Sequence, residues 1–161
     1  MKQALGISIK TKKEIKTYTV RWRENGEERQ CKSIEYPRPE LDDTLDAFVE
    51  FIPDIAGITK EKMVWAEIAG ATFEYAKDGT ASLSLGVAVG IVGTGEINFK
   101  TPGIPVDFDG ADINSAETWL EKYGALAQFL HDEIIMYAEG KRAQSELAFD
   151  TVEAGQDEPT D

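Results

Sequence analysis

A chain of 161 residues with 42% apolar content is long enough for one domain with a sizeable core. Its net charge of −13 argues against affinity for nucleic acid or anionic membrane as a property of the whole molecule. Cys31 is the only cysteine, so no internal disulfide is expected. Nothing resembles a signal peptide, and no apolar run reaches 18 residues, so the expected setting is reducing and cytoplasmic, without a membrane span. The charge is unevenly placed: residues 1–36 carry nine Lys/Arg against five Glu, net +4, and residues 37–161 carry net −17.

Leu5, Ile7 and Ile9 recur at period two and predict a first strand over 3–10. From Lys16 to Arg23, Tyr18, Val20 and Trp22 alternate with Thr17, Thr19, Arg21 and Arg23, which predicts a strand with one apolar and one basic face. Asn25-Gly26 suits a type I′ turn, returning a third strand through Cys31 to Tyr36. Pro37 and Pro39 end it. Leu41, Leu45, Phe48, Val49 and Ile52 then form one helical stripe, closed by Pro53 and Gly57.

A strand is predicted around Met63–Ile68, continuing past Gly70 through Thr72–Tyr75 to a turn at Lys77-Asp78-Gly79. Ala81, Leu83, Leu85, Val87, Val89 and Ile91 alternate with Ser82, Ser84, Gly86, Ala88 and Gly90, predicting a long half-buried strand with a small-residue outer face. Ile97–Lys100 adds a short strand before the loop of Pro102, Gly103 and Pro105. A last helix is expected after Asn114 or Ser115, with Glu117 in a capping-box position and a core stripe of Trp119, Tyr123, Leu126, Leu130, Ile134 and Tyr137. The fold class is therefore α+β: a mostly antiparallel sheet of about six strands with two helices packed on it, in the order βββ-α-βββ-α. Residues 1–140 form the expected domain. Residues 141–161 form a C-terminal peptide and an acidic tail, with 150–161 expected to be disordered.

Three groups of residues are candidate sites. Gln144, Leu147 and Phe149 fit the Gln-x-x-Leu-x-Phe spacing and resemble the bacterial sliding-clamp-binding peptide, in which the amide bonds a pocket rim and the apolar pair fills a groove. The alternative is that Leu147 and Phe149 fold back on the sheet as a clasp. Lys16, Arg21, Arg23, Arg29 and Lys32, beside Tyr18, Trp22 and Tyr36, could make a single-stranded nucleic-acid face, although the alternation puts Tyr18 and Trp22 opposite Arg21 and Arg23. Asp42, Asp43, Asp46 and Glu50, with Asp54 beyond, could mimic nucleic-acid phosphates towards a basic partner; the plainer alternative is a solvated helix face. Asp107, Asp109 and Asp112 lack the glycine and glutamate positions of an EF-hand, so no metal site is expected. No cofactor or catalytic residue is expected either, because His131 is the only histidine and falls mid-helix.

The layout, with a last helix running into Gly140-Lys141-Arg142-Ala143-Gln144, resembles that of small acidic bacteriophage early-region proteins. That resemblance implies an accessory protein working in the host cytoplasm near replication, recombination or defence, and the lack of a catalytic constellation makes it non-enzymatic by expectation. It would bind host or phage replication or recombination machinery, with the sliding clamp as one partner. An inhibitor of a host defence system and a single-stranded DNA-binding protein are the alternatives. A protein partner is expected first, single-stranded DNA second, and no membrane.

Overall fold

The computed structural model describes residues 2–108 and 116–142. Its elements are β1 (Lys2–Lys12), β2 (Ile15–Glu24), β3 (Glu27–Ser33), α1 (Pro39–Ala47), a 3₁₀ turn (Phe48–Phe51), α2 (Ile52–Ala56), β4 (Met63–Tyr75), β5 (Ala81–Ile91), β6 (Gly95–Lys100), β7 (Ile104–Val106) and α3 (Trp119–Ala138), with a further 3₁₀ turn at Lys60–Lys62. All strand pairs are antiparallel, in the order β3-β2-β1-β4-β5-β6, and β7 also pairs with β5. The α+β class expected from the sequence is the class observed, with the helices lying on one face of the sheet.

The apolar members of the alternations face those helices, except at Leu5: the register of β1 shifts between Ala4 and Gly6, so Ala4 rather than Leu5 stands opposite Trp22 in the core cluster, and Leu5 is buried outside it. Ile7, Tyr18, Val20, Trp22, Phe73, Leu83, Leu85, Val87 and Val89 join Leu41, Leu45, Phe48, Phe51, Ile52, Tyr123, Leu126, Leu130, Ile134 and Tyr137 in one buried cluster. Two hydroxyls bridge within this layer: Tyr123 donates to the Leu83 carbonyl (2.9 Å) and Tyr75 to the Ala4 carbonyl (2.7 Å).

The structure redraws several expected boundaries. Residues 39–56 are helical but broken, because the 3₁₀ turn tightens the winding and brings Phe51 into the core while Val49 is only partly buried. Pro53, expected to end the helix, sits in the first turn of α2, where a missing amide donor costs nothing; Gly57, at φ +70°, ends it. Helix α3 starts later than Asn114. Thr118 is its N-cap and accepts from the Glu121 amide (3.2 Å), so the capping pair is Thr118 and Glu121 rather than Asn114 and Glu117. Trp119 is partly exposed, although its ring packs against Phe51 and Tyr123. Strand β7 falls in the segment read as a proline loop.

The turns of the two hairpins illustrate opposite cases. Asn25 and Gly26 take φ +52° and +81°, as their sequence predicts. The β1–β2 turn is made by Lys13 and Glu14, at φ +52° and +69°, although neither residue favours that region.

The hairpin sheet β3-β2-β1 joins β4-β5-β6 through a narrow seam. β1 and β2 pair along almost their full lengths, whereas β1 meets β4 only at Gly6–Thr72, Ile7–Ala71 and Ser8–Gly70. A Cβ at Gly6 would stand 2.7 Å from the Ala71 carbonyl oxygen, and one at Gly70 would stand 3.0 Å from the Ile7 carbonyl oxygen. Both obstacles are backbone, so the chain itself would have to shift.

Gly6→Ala is therefore expected to lower unfolding free energy by about 2 kcal/mol, and Gly70→Ala by about 1 kcal/mol, as read from urea denaturation midpoints. Conversely, Lys13→Asn combined with Glu14→Gly is expected to raise it by about 1 kcal/mol, because that pair adopts positive φ without strain.

Candidate functional site

The face of the sheet away from the helices carries the other half of each alternation. Cross-strand pairs place Arg23 beside Gln3 and Glu28, Arg21 beside Gly6 and Gln30, Thr19 beside Ser8 and Lys32, and Thr17 beside Lys10. Ser8, Lys10, Thr11, Lys12, Thr17, Thr19, Arg21, Gln30 and Lys32 line a cleft of about 610 Å³. Gly6 shapes it: an added Cβ would lie 3.1 Å from a terminal nitrogen of Arg21, so the missing side chain lets the guanidinium lie along the sheet. Among the described residues, Lys10, Lys12, Arg21 and Lys32 form no ion pair. The cleft thus joins four cations to a floor of hydroxyl and amide groups, a donor-rich surface suited to an anion.

Of the five cations singled out from the sequence, the structure brings Arg21, Arg23 and Lys32 to this face. Arg23 is occupied at the cleft's end, donating to Gln3 (3.0 Å) and facing Glu28 (3.7 Å). Lys16 shares strand parity with buried Tyr18, and Arg29 pairs with Trp22, so both belong to the helix-bearing side. Arg29 there faces Glu24 and Glu27. Sequence reasoning missed Lys10 and Lys12. Their signal was present, since Ser8, Lys10 and Lys12 continue the alternation of Ile7 and Ile9.

Tyr18 and Trp22 are buried, as the alternation required, and Tyr36 is exposed with its ring edge-on to Tyr18. The aromatic ring on the outer face is instead that of Trp65. It lies across Gly90, where a Cβ would come within 2.2 Å of the indole nitrogen, and it is 42% exposed. It helps to cover the small-residue strip of β5, where Ser84, Ala88 and Gly90 are buried rather than solvated.

The acidic group does not form an even array. Asp43, Asp46 and Glu50 are exposed, whereas Asp42 is partly buried. Burial raises the Asp42 pKa, Lys16 opposes that rise, and Asp46 and Asp43 add to it. On α3, burial likewise raises the pKa of Glu133, with Arg38 opposing it. His131 is held structurally. Its Nε2 accepts from the Ala4 amide (3.2 Å), and its ring packs against Phe73 and Phe108. Among the described residues no group of three or more metal-ligating side chains gathers; Asp109 and Asp112 lie outside them.

Gln144, Leu147 and Phe149 also lie outside the described residues, but the approach to them is fixed. Gly140, at φ +96°, closes α3 with bonds from the Gly140 amide to the Tyr137 carbonyl and from the Lys141 amide to the Met136 carbonyl. Arg142 then turns back onto the domain and is only 6% exposed. Its guanidinium stacks 3.4 Å above the Tyr137 ring, donates to the Tyr137 carbonyl and pairs with Glu35 at 3.1 Å. The packed part of the chain accordingly reaches Arg142, two residues beyond the expected edge.

No family model matches the chain, and neither the curated proteins nor the solved structures yield a match.

Arg142→Ala is expected to destabilise the fold by about 2 kcal/mol, from the lost ring stacking and charge-assisted bonds. Glu35→Gln should cost less than half as much, because that carboxylate is half exposed. Thermal and urea unfolding of the two variants measure the difference.

Proposed function

We propose that this is a non-enzymatic accessory protein that binds the phosphate backbone of single-stranded nucleic acid along the outer cleft of β1, β2 and β3. The observation that carries the reading is the set of Lys10, Lys12, Arg21 and Lys32 around one open cleft, without ion pairs among the described residues. Cations and hydroxyls of this kind hold phosphates without reading sequence. Three strands spaced about 4.8 Å apart present a floor roughly 10 Å wide, which favours one extended strand over a duplex. The net charge of −13 opposes approach of a polyanion to the molecule as a whole, so binding depends on this face.

A labelled oligothymidylate titrated by fluorescence anisotropy at low salt tests the proposal. Binding is expected to weaken steeply as salt rises. Lys10→Glu with Lys32→Glu should weaken it by more than about tenfold, and Lys60→Ala with Lys62→Ala, outside the cleft, should leave it unchanged. Absence of binding, indifference to salt, or equal affinity of the cleft variant would reject the reading.

A second reading rests on the fixed exit of the chain at Arg142. The Gln144–Phe149 peptide begins two residues later and would be offered to a protein partner such as a sliding clamp from a defined point on the domain.

A further inference from the structure

Strand β6 forms an edge of the sheet, and its free side has a self-complementary pattern. The Thr101 amide donates to the Leu85 carbonyl (2.8 Å), which sets the parity of the β5–β6 ladder. With Val87 opposite Phe99 and Val89 opposite Ile97, the odd-numbered residues of β6 direct their backbone groups towards β5. Glu96, Asn98 and Lys100 therefore direct theirs outwards. Pro102 has no amide to continue the row, and the turn preceding Gly95 closes its other end.

We propose that β6 pairs antiparallel with β6 of a second copy of this chain, about a two-fold axis through Asn98. That register uses every outward group in the row. Asn98 meets Asn98 of the second copy, and Glu96 meets its Lys100 twice over by symmetry, so each acid faces a base. It also sets Ile97 opposite the second copy's Phe99 on the helix-bearing side. Ile97 is 36% exposed and Phe99 packs against the core, so the apolar layer continues across the axis. The other edge, β3, is less suited to self-pairing: Glu27, Glu28, Arg29 and Lys32 crowd it, and Arg142 reaches its Cys31 (3.9 Å).

Light scattering after size exclusion, followed down a dilution series of the full chain, tests the pairing. The intact protein is expected at twice its 17.8 kDa chain mass, dissociating on dilution. Asn98→Pro removes an outward donor that β5 does not use; it should give a monomer with unchanged circular dichroism, melting as the intact protein does at dilutions where that protein is itself dissociated. Glu96→Lys alone and Lys100→Glu alone should each weaken association by about tenfold, and the two together should restore it. A monomeric intact protein, a dimer that persists in folded Asn98→Pro, or a double reversal that fails to recover association would each overturn the proposal. Should Asn98→Pro not fold, the single and double reversals decide the matter.

Discussion

Everything on either side of this sheet depends on how closely β1 can approach β4. Within the sheet, only three residue pairs join the N-terminal hairpins to β4, and two glycines, Gly6 and Gly70, stand where a Cβ would press on the opposite backbone. The close contact holds Ile7 and Phe73 in one apolar layer beneath α3. It also forms the outer cleft, since Gly6 leaves room for the Arg21 guanidinium to lie along the strands. One steric requirement thus serves both the core and the candidate site.

The two faces divide the chemistry because strand side chains alternate. On the helix side, apolar rings and branched chains close over one another, and the few polar groups are tied down, as His131 is by the Ala4 amide and Arg142 by Tyr137. On the outer side, the β1–β2–β3 half keeps its cations in the open, while the β5 half is floored by serine, alanine and glycine beneath Trp65. Electrostatic asymmetry along the chain becomes asymmetry across the molecule. The basic first 36 residues form one end of the sheet, and the acidic α1 segment lies on the opposite face. Within about 10 Å such separation is not erased by salt, so the cleft can attract an anion despite the overall charge.

Much of this was legible from periodicity. Tyr18, Val20 and Trp22 alternating with threonines and arginines, and the run from Ala81 to Ile91, specified two strands and their buried faces; Asn25-Gly26 specified a hairpin. Residues without a strong local signal were harder. Nothing in Lys13-Glu14 announces a tight turn, and Pro53 reads as a helix stop although a first helical turn accommodates it. Of the site, Arg21, Arg23 and Lys32 were visible as one face, but Lys16 and Arg29 were grouped with them through composition alone. Strand parity sends both to the other side.

Residue pattern alone thus established the apolar side of β2 and β5, where most elements lie, and that the first 36 residues are basic. Those properties are local, set by spacing of two or 3.6 residues and by residue type. Only the tertiary structure decided that β1 lies between β2 and β4, that Lys10 and Lys12 join Arg21 and Lys32 around one cleft, that Arg142 stacks on Tyr137, and that β6 is left at an edge. Each of these results depends on which strands become neighbours, and that choice is made by close packing between segments far apart in the chain, at Gly6 and Gly70 most of all.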